Sequence, residues 1–321
     1  MIKISKYDFK KNPYKRFFFN LCVLFVFVFL IDFLIGNILG NYYFKKQRNY
    51  NYRTTYAIDS TKADLLIFGS SRANHHYQPE IFENRLGLTA YNVGRDGEFI
   101  FYHYAILKAI LKRYSPKIII LDFSPGDFSR NNDFYDRLSY LLPYYKSHPE
   151  MRSIIELKSS FEKLKLLSYI YPYNSSILPI FSQNVVLQPE KKLDIDGYLP
   201  ITRILDDSIK VDNNPIKYEV DSTIINVYES YIRDCIKSKV KLYIICSPYF
   251  RKSTNKDYSV KLAIQIAKKY NVTFLDYLQD SIFINHAKLF DDPAHLNNEG
   301  AKLFSIIVAD SIASNQNRKI N

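Results

Sequence analysis

No tryptophan occurs in the 321 residues, methionine occurs twice and cysteine three times. Cysteine gives the chain little to build with, because Cys22 falls in an apolar run and leaves Cys235 and Cys246 as the one pair to weigh. With Cys235 ending a helix and Cys246 ending the strand after it, a rise of about 3.3 Å per residue separates the sulfurs by roughly 15 Å, so no disulfide is expected. Metal-ligand patterns are equally scarce. His75-His76 has no third ligand at suitable spacing and is read as a solvated loop, with no metal expected, and His103 and His286 have no partner that the sequence names. The charge of +12, from 44 Lys and Arg against 32 Asp and Glu, is spread along the chain. It lacks a basic helix or an aromatic RNA-binding motif, so no nucleic-acid partner is expected, and an anionic membrane surface explains the excess equally well. The abundance of Tyr, Phe, Ile, Lys and Asn is what an AT-rich genome produces by itself, and the 47% apolar fraction is that of a globular protein.

One long apolar run is present, from Phe17 to Gly40, broken by Asn20, Asp32 and Asn37. As a helix it extends about 36 Å, enough to cross a bilayer core with some tilt. No small-x-small site closes it, which argues for an anchor over a cleaved signal peptide. Six basic residues precede it (Lys3, Lys6, Lys10, Lys11, Lys15 and Arg16) and four follow closely (Lys45, Lys46, Arg48 and Arg53). The positive-inside rule therefore favours a cytoplasmic N terminus by a modest margin. Asp32, about two turns from the outer end, suggests a partner or polar pocket, or else a carboxylate near the interface. The resulting expectation is a cytoplasmic segment at 1–16, an anchor at 17–40, a polar, Tyr-rich stalk at 41–62 and one extracytoplasmic body beyond it.

Within the body, apolar runs at Asp64 to Phe68, Ala90 to Val93, Lys117 to Phe123, Lys241 to Cys246 and Val272 to Tyr277 have strand length and β-branched or aromatic content. Helical spacing fills the intervals at Pro79 to Leu86, Phe99 to Arg113, Ser222 to Lys237, Tyr258 to Lys269 and Asn298 to Ile312. Alternating strands and helices predict an α/β, flavodoxin-like three-layer fold around a parallel sheet, with residues 63–128 and 218–315 as its two parts and 316–321 as a tail.

Ligands bind such sheets at the carboxyl ends of the strands. Gly69-Ser70-Ser71-Arg72 follows the first strand there, Asn92 to Gly97 the second and Ser124 to Asp127 the third. Ser247 and Pro248 follow the fourth, and Asp292-Pro293-Ala294-His295 lies in the long loop after the fifth. A strand-end serine with a distant Asp and His can supply nucleophile, orienting carboxylate and general base.

These residues resemble the SGNH or GDSL hydrolases, whose four blocks occur in the same order over about half of the chain. Gly69-Ser70-Ser71 resembles the Gly-Asp-Ser of the first block, which implies Ser71 as nucleophile. Asn92-Val93-Gly94-Arg95-Asp96-Gly97 is similar to the second block and implies oxyanion donation from the Gly97 amide together with that of Ser71. Asp292 to Asn297, followed by Glu299-Gly300-Ala301 and a helix, is the most specific match and implies His295 as base and Asp292 as its partner. The third block, usually Gly-x-Asn-Asp, departs from the pattern: Phe123-Ser124-Pro125-Gly126-Asp127 has no Asn. Losing one oxyanion donor costs about two to three orders of magnitude in rate, so either Ser124, Asn92 or a backbone amide replaces it, or the enzyme is slow or inactive. Arg72, where this family often has Leu, can contact an anionic sugar or phosphate or pair with Asp96 or Asp127. Asp127 is the other candidate substrate contact.

Residues 129–217 interrupt the alternation with a charged helical stretch near Arg152 to Leu167 and the Tyr-rich segments Tyr171 to Ser176 and Asp196 to Pro200. Such an insertion serves as a lid or acceptor platform whose tyrosines stack on sugars, or as a packed cap. The resemblance implies a cofactor-free serine enzyme, anchored by its helix, that transfers or removes an O-acyl group, acetyl foremost, on an envelope or secreted polysaccharide and draws on a membrane-borne acyl donor protein. A lipid or small-ester esterase, and a catalytically silent scaffold of a polysaccharide assembly complex, remain as alternatives.

Overall fold

The computed structural model describes residues 12–45, 50–185, 194, 196–206, 217–250, 257–284 and 286–317. Residues 1–11 with their lysines, 46–49 of the expected stalk, 186–193, 195 and 207–216 of the expected insertion and 318–321 of the tail lie outside these. The chain divides into two units, one comprising Met1–Lys46 with Ser160–Gln188, the other comprising the remainder.

The first unit is built on α1 (Pro13–Lys45), a 33-residue helix whose apolar window has a mean hydropathy of 2.7 and no buried share. By length and composition it can cross a membrane. Against it lie a 3-10 turn at Tyr171–Ser176 and α9 (Ile177–Val185), with α8 (Glu162–Lys165) in the same unit. The Asp32 carboxylate accepts hydrogen bonds from Ser168 Oγ at 2.5 Å, Tyr169 N–H at 2.7 Å and Ile170 N–H at 3.3 Å. The tyrosines expected to offer a sugar platform are used otherwise. The Tyr169 ring packs on Phe29 and Phe33, Tyr173 packs on Tyr43, and Tyr171 donates to the buried Glu162. The range 129–217 is thus divided between the two units, and the stretch Arg152 to Leu167 is not one helix: it breaks at Ser159, which is extended.

In the second unit, β1 (Leu65–Phe68), β2 (Ala90–Asn92), β3 (Ile118–Asp122), β4 (Lys241–Cys246) and β5 (Thr273–Asp276) form a parallel sheet in the order 2-1-3-4-5, the flavodoxin-like order. Register pairs Leu65 with both Ala90 and Ile118, and Ile118 with Lys241. Both faces of the central strands are covered, so they read as unbroken apolar runs. Leu65, Ile67, Ile118, Ile120, Tyr243 and Ile245 point to one side. There they meet α3 (Ser71–His76), α4 (Pro79–Leu86) and α12 (Asn298–Asn317) through Tyr77, Phe82 and Phe304. Each such fully buried side chain contributes roughly 1.5–3 kcal/mol. Phe68 takes the other side, against His103 of α5 (Ile100–Arg113) and Tyr231 of α10 (Ser222–Lys237). The helix α11 (Tyr258–Lys269) leads into β5 and is capped by the Asp257 carboxylate.

Three elements differ from the sequence reading. Residues of the expected stalk form α2 (Tyr50–Asp59), which packs on α5 and buries Arg53, Thr54, Ala57 and Ile58. Its polar sequence hides this, because the buried face is held by polar contacts: Arg53 Nη2 donates to Asn74 Oδ1 and to the carbonyls of Gly94 and Gly197. Residues 129–159, with α6 (Asn132–Asp136) and α7 (Arg152–Ile155), pack mainly on α5. Finally, the loop after β5 contains a small antiparallel hairpin of β6 (Phe290–Asp292) and β7 (His295–Leu296).

Candidate active site

The order 2-1-3 reverses between β1 and β3, and the carboxyl ends of these two strands flank the crevice. Gly69, just after β1, has φ +143°, and a Cβ there would lie 2.8–2.9 Å from Ala73 Cβ and from Asp122. Only glycine lets the chain turn this tightly into α3, and the turn makes Ser71 the first residue of that helix.

Ser71 Oγ lies 2.7 Å from His295 Nε2, and His295 Nδ1 lies 2.8 Å from Asp292 Oδ2. Asp292 works with both oxygens, since Oδ1 accepts from the Ala294 and His295 amides and folds the β6–β7 turn. Burial works against ionisation of this carboxyl, but the hydrogen bonds from His295 and the Ala294 amide outweigh it and bring the pKa down to about 2. The carboxylate therefore stays ionised at neutral pH. Serine, imidazole and carboxylate form one connected row, with His295 and Asp292 only partly exposed to water.

The oxyanion candidates separate clearly. Ser71 N–H and Gly97 N–H have no acceptor within the chain among the described residues. Gly97 has φ +70°, and the Arg137 guanidinium packs directly against it. Asn92, by contrast, is excluded: its Nδ2 donates to the Ala73 and Tyr77 carbonyls and its Oδ1 accepts from Gly94 N–H. Ser124 spends its amide on Asp127 Oδ2 at 2.7 Å, leaving its hydroxyl as the group it can offer.

Arg72 and Asp127 are not placed as substrate contacts. Asp127 closes the Ser124–Asp127 turn. Arg72 is 2% exposed and turned inward, donating to Ser247 Oγ and the Ser247 carbonyl, with Asp122 at 3.8 Å and the Tyr249 ring stacked on the guanidinium. Neither Asp96 nor Asp127 is its ion-pair partner. Asp122 in turn accepts from Tyr77 Oη at 2.5 Å.

His76 overturns the solvated-loop reading of the His pair. It is fully buried, and its Nε2 accepts from the Leu296 N–H at 2.9 Å. The proton therefore sits on Nδ1, which donates to Ser247 Oγ at 2.9 Å. Burial and then the nearby Arg72 charge hold its pKa well below the usual histidine range. A buried polar row thus runs from Tyr77 through Asp122, Arg72, Ser247 and His76 to the residue next to His295. His75 is half-buried, bonded to the Leu199 carbonyl at 2.7 Å and 3.2 Å from Asp96, with its ring 6.0 Å from that of His295. The strand-like stretch around Leu199 walls this side of the site, pinned by Leu199 N–H to the Asn74 carbonyl and Asn298 N–H to the Ile201 carbonyl. Sequence reasoning missed His76 and Arg137, of which only the adjacency of His75-His76 to the Gly-Ser-Ser-Arg turn signalled the first; the wall falls in the Asp196 to Pro200 segment that the sequence singled out beside the rim.

Behind Ser70, a cavity of about 20 Å³ is lined by Glu98, His103 and Asp122 among others. It has room for about one water. Glu98 is 1% exposed with neither oxygen hydrogen-bonded among the described residues, and burial raises its pKa to about 7 against the pull of Arg95 and Arg137. His103 is buried too, which lowers its pKa to about 3.

No protein-family model matches the chain, and no curated protein sequence matches it either.

Proposed function

We propose that this chain is a membrane-anchored, SGNH-type serine enzyme that transfers or removes an O-acyl group, acetyl foremost, on an envelope or secreted polysaccharide. The observation that carries the reading is the continuous row Ser71 Oγ, His295 and Asp292, at 2.7 and 2.8 Å. A serine hydroxyl is a weak nucleophile until an adjacent base takes its proton, and this geometry provides that base and orients it.

In the first half-reaction Ser71 Oγ bonds to the ester carbonyl carbon while His295 Nε2 takes the hydroxyl proton. The carbonyl π electrons move to oxygen, where the Ser71 and Gly97 amides receive the negative charge. As the tetrahedral intermediate collapses, the bond to the alkoxy oxygen breaks and His295 returns its proton to that oxygen. In the second half, water or a sugar hydroxyl gives its proton to His295 and attacks acyl-Ser71, which releases acid or a new ester and restores the serine. Asp292 stays ionised throughout and balances the imidazolium. Without the third-block Asn the oxyanion falls to the Ser71 and Gly97 amides, with the Ser124 hydroxyl as the side-chain donor still on offer, which predicts a turnover below that of an enzyme with the Asn.

The full chain in detergent, treated with a fluorophosphonate serine probe, is expected to label once, and Ser71→Ala is expected to abolish the label. If the wild type stays unlabelled while a control esterase reacts, the enzyme reading gives way to a silent scaffold of an assembly complex. Comparing release of free acetate with acetyl transfer to added oligosaccharides then separates hydrolysis from transfer.

A further inference from the structure

We infer that residues 161–181 form a membrane-inserted element that lies on lipid alongside α1, so that the first unit enters the bilayer at two places in the sequence. The inference rests on the reading of α1 as a membrane span. Asp32, Gly36 and Gly40 recur every fourth residue and share one face of α1. The 24-residue apolar run measures about 36 Å against a hydrocarbon core of about 30 Å, so Asp32, about 12 Å from Gly40, sits roughly 9 Å inside the core. A carboxylate at that depth is costly unless protein groups satisfy it.

Those groups come from the segment itself: Ser168 Oγ and the amides of Tyr169 and Ile170. Irregular backbone at membrane depth is tolerated only where its polar groups are paired within protein, and here Asp32 pairs two of the amides. The approach is close. A Cβ on Gly36 would stand 2.4 Å from the Tyr169 backbone, and one on Gly40 would stand 2.8 Å from Tyr173 Oη. The register then climbs α1, from Tyr169 beside Gly36 to Tyr173 beside Gly40 and Asn184 at the Tyr42 carbonyl. The segment thus occupies the depth interval from Asp32 to Tyr42.

Its outward side carries a large apolar patch beside the exposed Lys163, Lys165, Asn174 and Ser175. Phe161, Leu164 and Leu167 are each about two-thirds exposed, and in α9 Leu178 is 79% and Phe181 63% exposed. This patch continues the exposed Phe and Leu surface of α1, and that continuity selects lipid as its occupant. The charged Glu162 is withdrawn, buried and bonded to Tyr171 Oη and Lys165. The Lys165 ammonium is held within the segment by Glu162 and by the Tyr171 ring beneath it.

The absence of tryptophan makes the test clean. Single-tryptophan variants Leu167→Trp, Phe181→Trp, Val28→Trp and Tyr258→Trp of the full chain are placed in phosphatidylcholine vesicles, with and without lipid brominated in the middle of the acyl chain. Val28→Trp, in α1, sets full quenching by lipid, and Tyr258→Trp, on the second unit, sets quenching by aqueous iodide alone. Bromolipid is expected to quench Leu167→Trp and Phe181→Trp at least half as strongly as Val28→Trp, with iodide having little effect. Quenching of both by iodide and not by bromolipid places the segment in water and overturns the inference. Quenching by neither means that protein covers it and overturns the inference equally. Failure of Val28→Trp to respond to bromolipid removes the membrane span itself, without bearing on the serine-probe experiment.

Discussion

Residues that carry no chemistry of their own set the position of those that do. His76 accepts the amide hydrogen of Leu296 and thereby ties down the strand holding His295. Replacing it by Phe keeps volume but leaves that N–H and the Ser247 hydroxyl short of a partner, at about 1–3 kcal/mol. His76→Phe is expected to lower the melting temperature and to reduce kcat on an aryl acetate with KM little changed. His76→Gln, whose amide oxygen reaches the place of Nε2, is expected to recover part of kcat. A purely structural role would lower the melting temperature of both variants without that split in kinetics. The sequence shows why Ser71, Asp292 and His295 are candidates, since each sits in a short motif after a strand. It cannot show His76 as their support, because a histidine acting through its ring nitrogen on a backbone amide leaves no spacing pattern. Arg72 is ambiguous in sequence for a related reason, as Asp96 and Asp127 both offer a carboxylate on the same rim and only the tertiary structure selects Asp122.

At the scale of elements, what is legible depends on what drives burial. The strands β1, β3 and β4 announce themselves because both faces are apolar, and α4, α10 and α11 because one face is. The helix α2 reads as a polar stalk, since its buried side is held by Arg53 and Thr54, which no hydrophobic period reveals. The hairpin bearing His295 was read as loop because its turn is folded by Asp292 Oδ1. Residues 196–206 carry one decisive cue, Gly197, with φ +86°, where a Cβ would lie 1.9 Å from the Asn92 carbonyl oxygen. Gly197→Ala therefore meets both backbone strain and a main-chain clash. It is expected to destabilise the protein by about 1–3 kcal/mol or more, seen as a lower thermal midpoint, and to loosen the wall beside His75. A melting curve identical to wild type would show that this stretch does not pack as described.

On the scale of the whole molecule, the buried Glu98 makes stability depend on pH. Below its ordinary value of about 4.5 the group is protonated both folded and unfolded, and its contribution is fully present. As pH rises towards about 7, the unfolded chain ionises while the folded one resists, so stability falls through this window by up to about 3 kcal/mol. His103 and His76, whose pKa burial lowers, act in the opposite sense and add stability as pH rises over the same window, so the thermal midpoint of Glu98→Gln relative to wild type is expected to rise between pH 4.5 and 8, measured in detergent. Asp127, whose pKa burial also raises to about 7, adds a fall of the same sign to both proteins. An unchanged slope in the variant would rule Glu98 out as its source. The guanidinium of Arg53 has a consequence of a different kind. One side chain ties together the helix after Ser71, the Gly94 turn and the Gly197 turn, three stretches far apart in sequence. Any cleavage that separates α1 from the second unit and keeps that unit whole must therefore cut on the N-terminal side of α2. A protease that clips beyond Arg53 would release a fragment whose rim has lost its common knot, and shedding there would act as an off-switch instead of a release.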